Sequence, residues 1–298
     1  MDTFDTILFE SAAVRIGRFL CPARHPRFHD TGPTEGFLFV FPRTAVRIVH
    51  PGRPPIDADP TVVTLYNRGQ RYRREKLSEE GDLCEFFSVD PAWILEAVRP
   101  YDPAALEAPD RPFRRTHGPS DARAYLFQRL LVTRLLDGAQ APDPLAVEES
   151  VVRLLRRVVD GVYGSQPVPR AKRPGTGRAH GELVDRARCV LRSKFQEPLD
   201  LASLAREVGT SPFHLCRVFH QRTGTTLHAY RDQLRLRAAL HAVADTRHDL
   251  GWVGMDLGYA TPSHFSHAFK TAFGLTPTAF RQRASAARLS ELSNLLTA

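Results

Sequence analysis

The side chains of this 298-residue chain that are best suited to chemistry lie in two segments of opposite character. The first is CPARHPRFH, which sets Cys21, His25 and His29 at intervals of four, while Cys84 lies in a separate apolar run, DLCEFFSV. Two thiolates and two imidazoles form a tetrahedral, borderline-soft donor set suited to Zn²⁺ or a related ion, if antiparallel pairing brings Cys84 beside Cys21. Pro22 and Pro26 restrict the backbone that would carry this set. The same prolines oppose a helix, the element on which a spacing of four aligns side chains. A buried free cysteine is also an ordinary core residue.

The second segment is LASLAREVGTSPFHLCRVF, and its chemistry is recognition. Leu201, Leu204, Ala205 and Val208 make the inner face of one short helix, and Gly209 supplies a left-handed turn residue. Ser211 can cap a second helix with Pro212 at its first position, and Leu215, Val218 and Phe219 would bury it. Ala205, four residues before the glycine, suits a close approach of the two helices. The opposite face of the second helix carries Phe213, His214, Cys216, Arg217, His220 and Gln221. A helix held on one face and armed with donors on the other is what major-groove reading requires.

This pattern occurs twice. GTTLHAYR (224–231) and GLTPTAFR (274–281) share Gly, Thr, Ala, an aromatic residue and Arg at identical offsets. Upstream, GMDLGYATPSHFSHAFK repeats the hairpin, with Gly254 in the place of Ala205 and Gly258 in the place of Gly209. The second reading face carries Pro262, Ser263, Ser266, His267 and Lys270. Two such units in one chain can address adjacent major grooves, about 34 Å apart. Charge agrees. Residues 1–164 hold 22 basic against 23 acidic residues, whereas 181–288 hold 15 against 9. A neutral half joined to a basic half suits a polyanion-binding module attached to a sensing or assembly domain.

The elements that must position these residues follow from periodicity. Residues 37–50, PTVVTLYNRGQRYRR and 82–89 read as short strands separated by the turn signals Asn67-Arg68-Gly69 and Glu80-Gly81-Asp82. Strands at this spacing suggest a β-barrel or sandwich. Helical spacing then governs about 121–138 and 145–162, with Leu130 and Leu131 on the first helix. More Leu and Val stand on this pair than one sheet face obviously needs, so residues 121–163 are expected to form a homodimer interface. Residues 165–180, rich in Pro, Gly and basic residues, read as a linker, and from Gly181 onward the pattern is helical. The domains are thus expected at 1–164 and 181–288.

No stretch reaches the ~18 apolar residues of a membrane span, and the acidic start lacks a secretory signal pattern, so a cytoplasmic protein is expected. Four cysteines without a CxxC pair argue against a disulfide framework.

On these residues, 181–285 resembles the DNA-binding domain of the AraC/XylS family. That family's signature is small-x-x-x-Gly, a second helix ending Phe-Lys, then Gly-x-[ST]-Pro-x-x-[YF]-Arg. The second repeat follows it through Gly258, Phe265, Phe269, Lys270, Gly274, Thr276, Pro277, Phe280 and Arg281. The first departs at His220, where Lys is usual, and at Leu227, where Pro is usual. The resemblance implies an α+β chain of two domains. One is an N-terminal cupin-like β-barrel with a helical pair, for sensing and dimerisation. The other is an all-α domain of two helix-turn-helix units joined by a long helix, about 227–244. It also implies operator DNA, RNA polymerase and a small-molecule or ion effector as partners of a transcription regulator that acts as an activator.

Two enzyme alternatives bear on this. A catalytic cupin needs an HxH pair, which is absent; His25 and His29 are four apart, and His50 and His117 are isolated. A DNA-repair enzyme carrying the same type of DNA-binding module needs a reactive cysteine in a Pro-Cys-His-like setting, but Cys21 precedes Pro22 and Cys84 precedes Glu85.

Overall fold

The computed structural model describes residues 4–137, 143–164, 174–245 and 248–286, which fall in two compact units, one containing residues up to Ser165 and one Gln166–Arg281. The first unit begins with strands β1 (Asp5–Glu10), β2 (Val14–Cys21), β3 (Asp30–Pro33), β4 (Leu38–Pro42) and β5 (Val46–Val49). It continues with β6 (Ile56–Ala58), β7 (Val62–Tyr66), β8 (Arg71–Lys76), β9 (Asp82–Val89) and β10 (His117–Pro119). All ladders are antiparallel. They make a six-stranded sheet, β1-β2-β9-β4-β7-β10, and a four-stranded sheet, β3-β8-β5-β6.

The chain changes sheet at its turn signals: after Pro42, through Asn67-Arg68-Gly69, and through Glu80-Gly81. Gly81 must be glycine. Its φ is 87°, and a Cβ there would lie 2.3 Å from the Cys21 carbonyl oxygen. The expected barrel is corrected to two sheets facing a shared core, since among the described residues no ladder joins them. One reason lies between β6 and β7. Pro60 has no N–H to offer a ladder, and Asp59 takes the Thr61 N–H at 2.8 Å and its hydroxyl at 2.6 Å, turning the chain from one sheet to the other.

Helix α1 (Pro91–Val98), capped by Asp90, was not anticipated from periodicity. Helices α2 (Ala122–Asp137) and α3 (Pro144–Gly164) occupy the expected positions. The premise of a dimer interface built from their Leu and Val stripe is corrected, because Leu130 and Leu131 are buried within the chain, as are Val151, Leu154, Leu155 and Val158. Every residue of α2 from Ala124 to Val132 is buried. An amphipathic stripe states that a face is covered and not by which neighbour. Beneath α2, the buried Glu85 carboxylate draws in Arg18 and Arg43 at 3.5 Å and Arg129 at 3.9 Å, tying strand β9 to the helix.

In the second unit the first helix, α4 (Pro174–Ser193), starts seven residues before the expected Gly181. Pro174 is tolerated at a first helical position, and its φ is preset for one, so the expected linker is corrected at its C-terminal end. Residues 165–173 of that linker lie outside the described residues. There follow α5 (Leu201–Glu207), α6 (Pro212–Thr223), α7 (Leu227–Asp245), α8 (Leu250–Asp256), α9 (Pro262–Phe273) and α10 (Pro277–Ala286).

Candidate nucleic-acid interface

Two helical hairpins, α5–α6 and α8–α9, are built by the same local rules. Asp200 accepts the Ser203 N–H at 2.8 Å to start α5, and Asp249 accepts the Gly251 N–H at 2.8 Å to start α8. Ser211 accepts the His214 N–H at 3.3 Å, and Thr261 accepts that of His264 at 3.1 Å. Thr226 and Thr276 cap α7 and α10 through the N–H groups of Ala229 at 3.1 Å and Ala279 at 3.2 Å. Each of these side chains satisfies a donor that a helix start leaves open. Gly224 and Gly274 close α6 and α9 at φ 71° and 76°, donating to the carbonyls of His220 and Lys270.

Each second helix is buried on one side. Leu215, Val218 and Phe219 pack with Leu204, Ala205 and Val208, and with Leu183 and Ala187 of α4. Phe265, Phe269 and Phe273 form a chain of ring contacts that reaches Tyr259 and Phe280. The arginine that ends each repeated octapeptide holds the hairpin to the preceding chain. Arg231 donates to the carbonyls of Phe195, Leu199 and Glu197, and Arg281 to those of Val243 at 3.1 Å and His248 at 2.8 Å. These two half-buried arginines therefore serve the unit's structure.

The opposite faces are open. Phe213, Cys216, Arg217, His220 and Gln221 of α6 are exposed, as are Pro262, Ser263, Ser266, His267 and Lys270 of α9. Phe213 is the extreme, at 81% exposure. His214 is half-buried, because its ring meets His180 of α4 edge-on at 5.5 Å while its Nδ1 lies 3.1 Å from the Arg217 guanidinium. Burial, then the neighbouring His214, Arg217 and Arg222, holds His180 below the ordinary histidine range. Sequence reasoning passed over His264, the counterpart of His214, whose exposed ring stands edge-on to Tyr259 at 5.4 Å. The fifty-residue offset was the available signal for it.

Of the four residues proposed for a metal, antiparallel pairing brings the two cysteines to diagonal positions on neighbouring strands, but the two histidines do not join them. Cys21 and Cys84 fall on paired strands, opposite Asp82 and Phe19 respectively, and both enter the core between the sheets. Burial, the leading cause in each case, raises both thiols above the usual cysteine value and so disfavours the thiolate a metal needs. Turns after Pro22 and His25 direct the histidines elsewhere. His25 accepts the Arg27 N–H at 3.1 Å and packs edge-on to Phe4, while exposed His29 has its Nδ1 2.9 Å from the Arg74 carbonyl. Among the described residues no group of three or more His, Cys, Asp or Glu side chains is placed to hold a metal ion.

A duplicated, capped hairpin with one buried and one open face defines a helix-turn-helix DNA-binding module. A family model described as a helix-turn-helix domain matches residues 204–283. The chain is 30% identical over 105 residues to the regulatory protein SoxS of Escherichia coli, a match covering 35% of this chain and 98% of that protein. It is 36% identical over 94 residues to the HTH-type transcriptional regulator GlxA of Rhizobium meliloti, covering 31% of this chain and 29% of that one. With the bifunctional transcriptional activator/DNA repair enzyme AdaA of Bacillus subtilis it shares 33% identity over 117 residues, 39% of this chain and 56% of that protein. The matched segment thus spans a third to about half of the length of these last two relatives. The chain belongs to the AraC/XylS family of transcription regulators.

Proposed function

We propose that this protein is a sequence-specific DNA-binding transcription regulator, an activator, whose C-terminal unit reads an operator through α6 and α9 and whose N-terminal unit receives an effector. The observation that carries the reading is the duplicated open face: two helices, each fixed by a cap, a buried stripe and a left-handed glycine, present polar and basic side chains to solvent. Arg217, whose guanidinium lies beside His214, is assigned a guanine edge or a phosphate, and exposed Phe213 a thymine methyl group. Lys270, near the end of α9, serves a backbone phosphate. The domain division is carried forward as residues 1–164 for sensing and assembly and 181–288 for DNA.

RNA polymerase is the expected protein partner of an activator. Self-association through 121–163 is retained only for the outer face of the helical pair, where Leu136 and Leu145 are exposed. The two sheets of the N-terminal unit are read as a cupin-like sandwich opened along its edges. No helix among the described residues is long and apolar enough to cross a membrane.

Gel-shift titration of the full chain on genomic fragments, repeated across salt concentrations, tests the proposal. Specific complexes whose affinity falls steeply with salt are expected. Equal affinity for every fragment, or none at low salt, would refute it.

A further inference from the structure

Between the two sheets of the N-terminal unit lies a half-open cavity of about 480 Å³, within the range of small-molecule sites. We infer that this cavity binds an uncharged, mainly aromatic ligand carrying a hydroxyl-type polar group. The ligand class deepens the reading of this unit as the effector-receiving one and rests on that reading for its regulatory consequence.

The apolar part of the lining comes from both sheets. Phe19 and Phe86 enter from one sheet and Tyr72, Val46 and Ile48 from the other, with Leu38 beside them. Phe19, Leu38, Tyr72 and Phe86 pack against the buried core but are themselves only partly buried, so they border the space between the sheets. Tyr66 and Tyr72 lie 4.7 Å apart at 35° and form an aromatic wall suited to a flat ring.

The charges explain the neutrality. At depth there is one ion pair, Arg74 with Asp82 at 3.0 Å. Arg74 also donates to the Phe28 carbonyl at 2.9 Å and stands over the rings of Phe19 and Phe28 at 4.6 and 5.3 Å. Its donors and its charge are committed within the protein, so a ligand carboxylate there would have to displace Asp82. At the mouth, Arg15 is held by Glu35 at 3.3 Å and Glu10 at 3.6 Å, and Arg27 lies over the Phe4 ring. The lining as a whole carries three guanidiniums, Arg15, Arg27 and Arg74, against the carboxylates Asp5, Glu35 and Asp82. A charged ligand would shed its hydration and find no surplus of opposite charge.

The remaining polar wall groups are neutral: the hydroxyls of Thr34, Thr64, Tyr66, Tyr72 and Ser88 and the Cys84 thiol. Burial, as the first cause, drives both tyrosines and Cys84 well above their usual values, so each keeps its proton. Thr34 already donates to the Asn67 carbonyl at 2.6 Å and accepts the Gln70 N–H at 3.1 Å, and Tyr66 is hydrogen-bonded to Thr64, so the set offers a phenol or alcohol a few neutral hydrogen bonds and is poorly stocked for the many hydroxyls of a sugar.

The test is calorimetric titration of the full chain at neutral pH with biphenyl-4-ol, its carboxylate and aminomethyl analogues, and D-glucose. Biphenyl-4-ol is expected to bind at one site, at least about tenfold more tightly than either charged analogue, with no binding of glucose. Tyr66→Phe with Tyr72→Phe, which removes hydroxyls at nearly constant volume, is expected to weaken biphenyl-4-ol at least about fivefold while leaving unsubstituted biphenyl unaffected. Val46→Trp should abolish both by filling the space, and circular dichroism checks that either variant is folded. A charged analogue binding as tightly as biphenyl-4-ol, no binding of biphenyl-4-ol at its solubility limit, or binding that the tyrosine variant leaves unchanged would overturn the ligand class. Operator affinity is measured with and without biphenyl-4-ol. Binding that leaves operator affinity unchanged would refute the effector reading while the ligand class stands.

Discussion

The two helix-turn-helix units share their caps and their turns but differ in what they place at the crowded and the open positions. At the close approach of the two helices the first unit has Ala205 and the second has Gly254, where a Cβ would lie 2.7 Å from Phe265 Cβ. At the turn, a Cβ on Gly209 would meet nothing within 4 Å, whereas one on Gly258 would lie 2.2 Å from the Gln196 carbonyl oxygen and 2.4 Å from the Arg235 guanidinium. At the helix contact the second unit sets the Phe265 ring against Gly254, where the first has Leu215 and Ala205, and at the turn only Gly258 is crowded, by backbone and by Arg235. The open faces differ too. The first presents Phe213 and Arg217 on its second helix, while the second presents small hydroxyls and Lys270 there and exposes Trp252 and Met255 on its first. A common scaffold can therefore carry one unit suited to reading base edges and one suited to holding the backbone.

This comparison is most open to attack at the turn glycines. Gly209→Ala incurs only the left-handed backbone cost, about 1–2 kcal/mol, because its φ is 71° and its surroundings are open. Gly258→Ala incurs that cost and an overpacking cost of about 1–3 kcal/mol more. Denaturant unfolding of the two variants checks this, and equal losses would show that the crowding at Gly258 is relieved elsewhere. The helix contacts come next. Gly254→Ala should cost about 1–3 kcal/mol by overpacking against Phe265, while Ala205→Gly should cost only about 1 kcal/mol of helix propensity.

On the open faces the expected difference lies in kind. Arg217→Ala should weaken specific DNA binding by about 1–3 kcal/mol and relax selection at one base position. Lys270→Ala should weaken all sequences alike and lower the salt slope by about one. Gel shifts on specific and scrambled DNA across salt separate the two, and interchangeable effects would erase the proposed division of labour.

The smallest effect concerns pH, at the histidine pair on the flank of the first unit. His180 is held below its ordinary value, so the unfolded chain takes up this proton first as pH falls. The stability tied to neutral His180 is complete above the ordinary histidine value and is lost as pH drops toward the depressed one. Thermal melts from pH 7.5 down to pH 5 should show a slightly shallower decline in His180→Ala.

Much of the second unit was legible because its signals are local. Asp200, Ser211 and Pro212 mark helix starts, and Gly209, Gly224, Gly258 and Gly274 mark ends, each within one or two residues of the observed boundary. Three glycines in α4 hid its first turns, since helix propensity there is poor. The first unit was less legible because its signals are long-range. Pro42 marks the end of a strand and does not reveal that the next one joins another sheet. The Leu130–Leu131 stripe does not reveal whether its cover is the same chain. The cavity was not visible at all, since its lining alternates between sheets whose register no local pattern fixes.

The two units are expected to engage adjacent stretches of one operator. The most direct test is selection of bound sequences from a random DNA library by the full chain, followed by hydroxyl-radical footprinting of the selected site with wild type and Arg217→Ala. Two protected segments about one helical turn apart are expected, with base preference in one of them relaxed by the substitution. A single protected segment, or a selected pool no different from the input library, would contradict this reading.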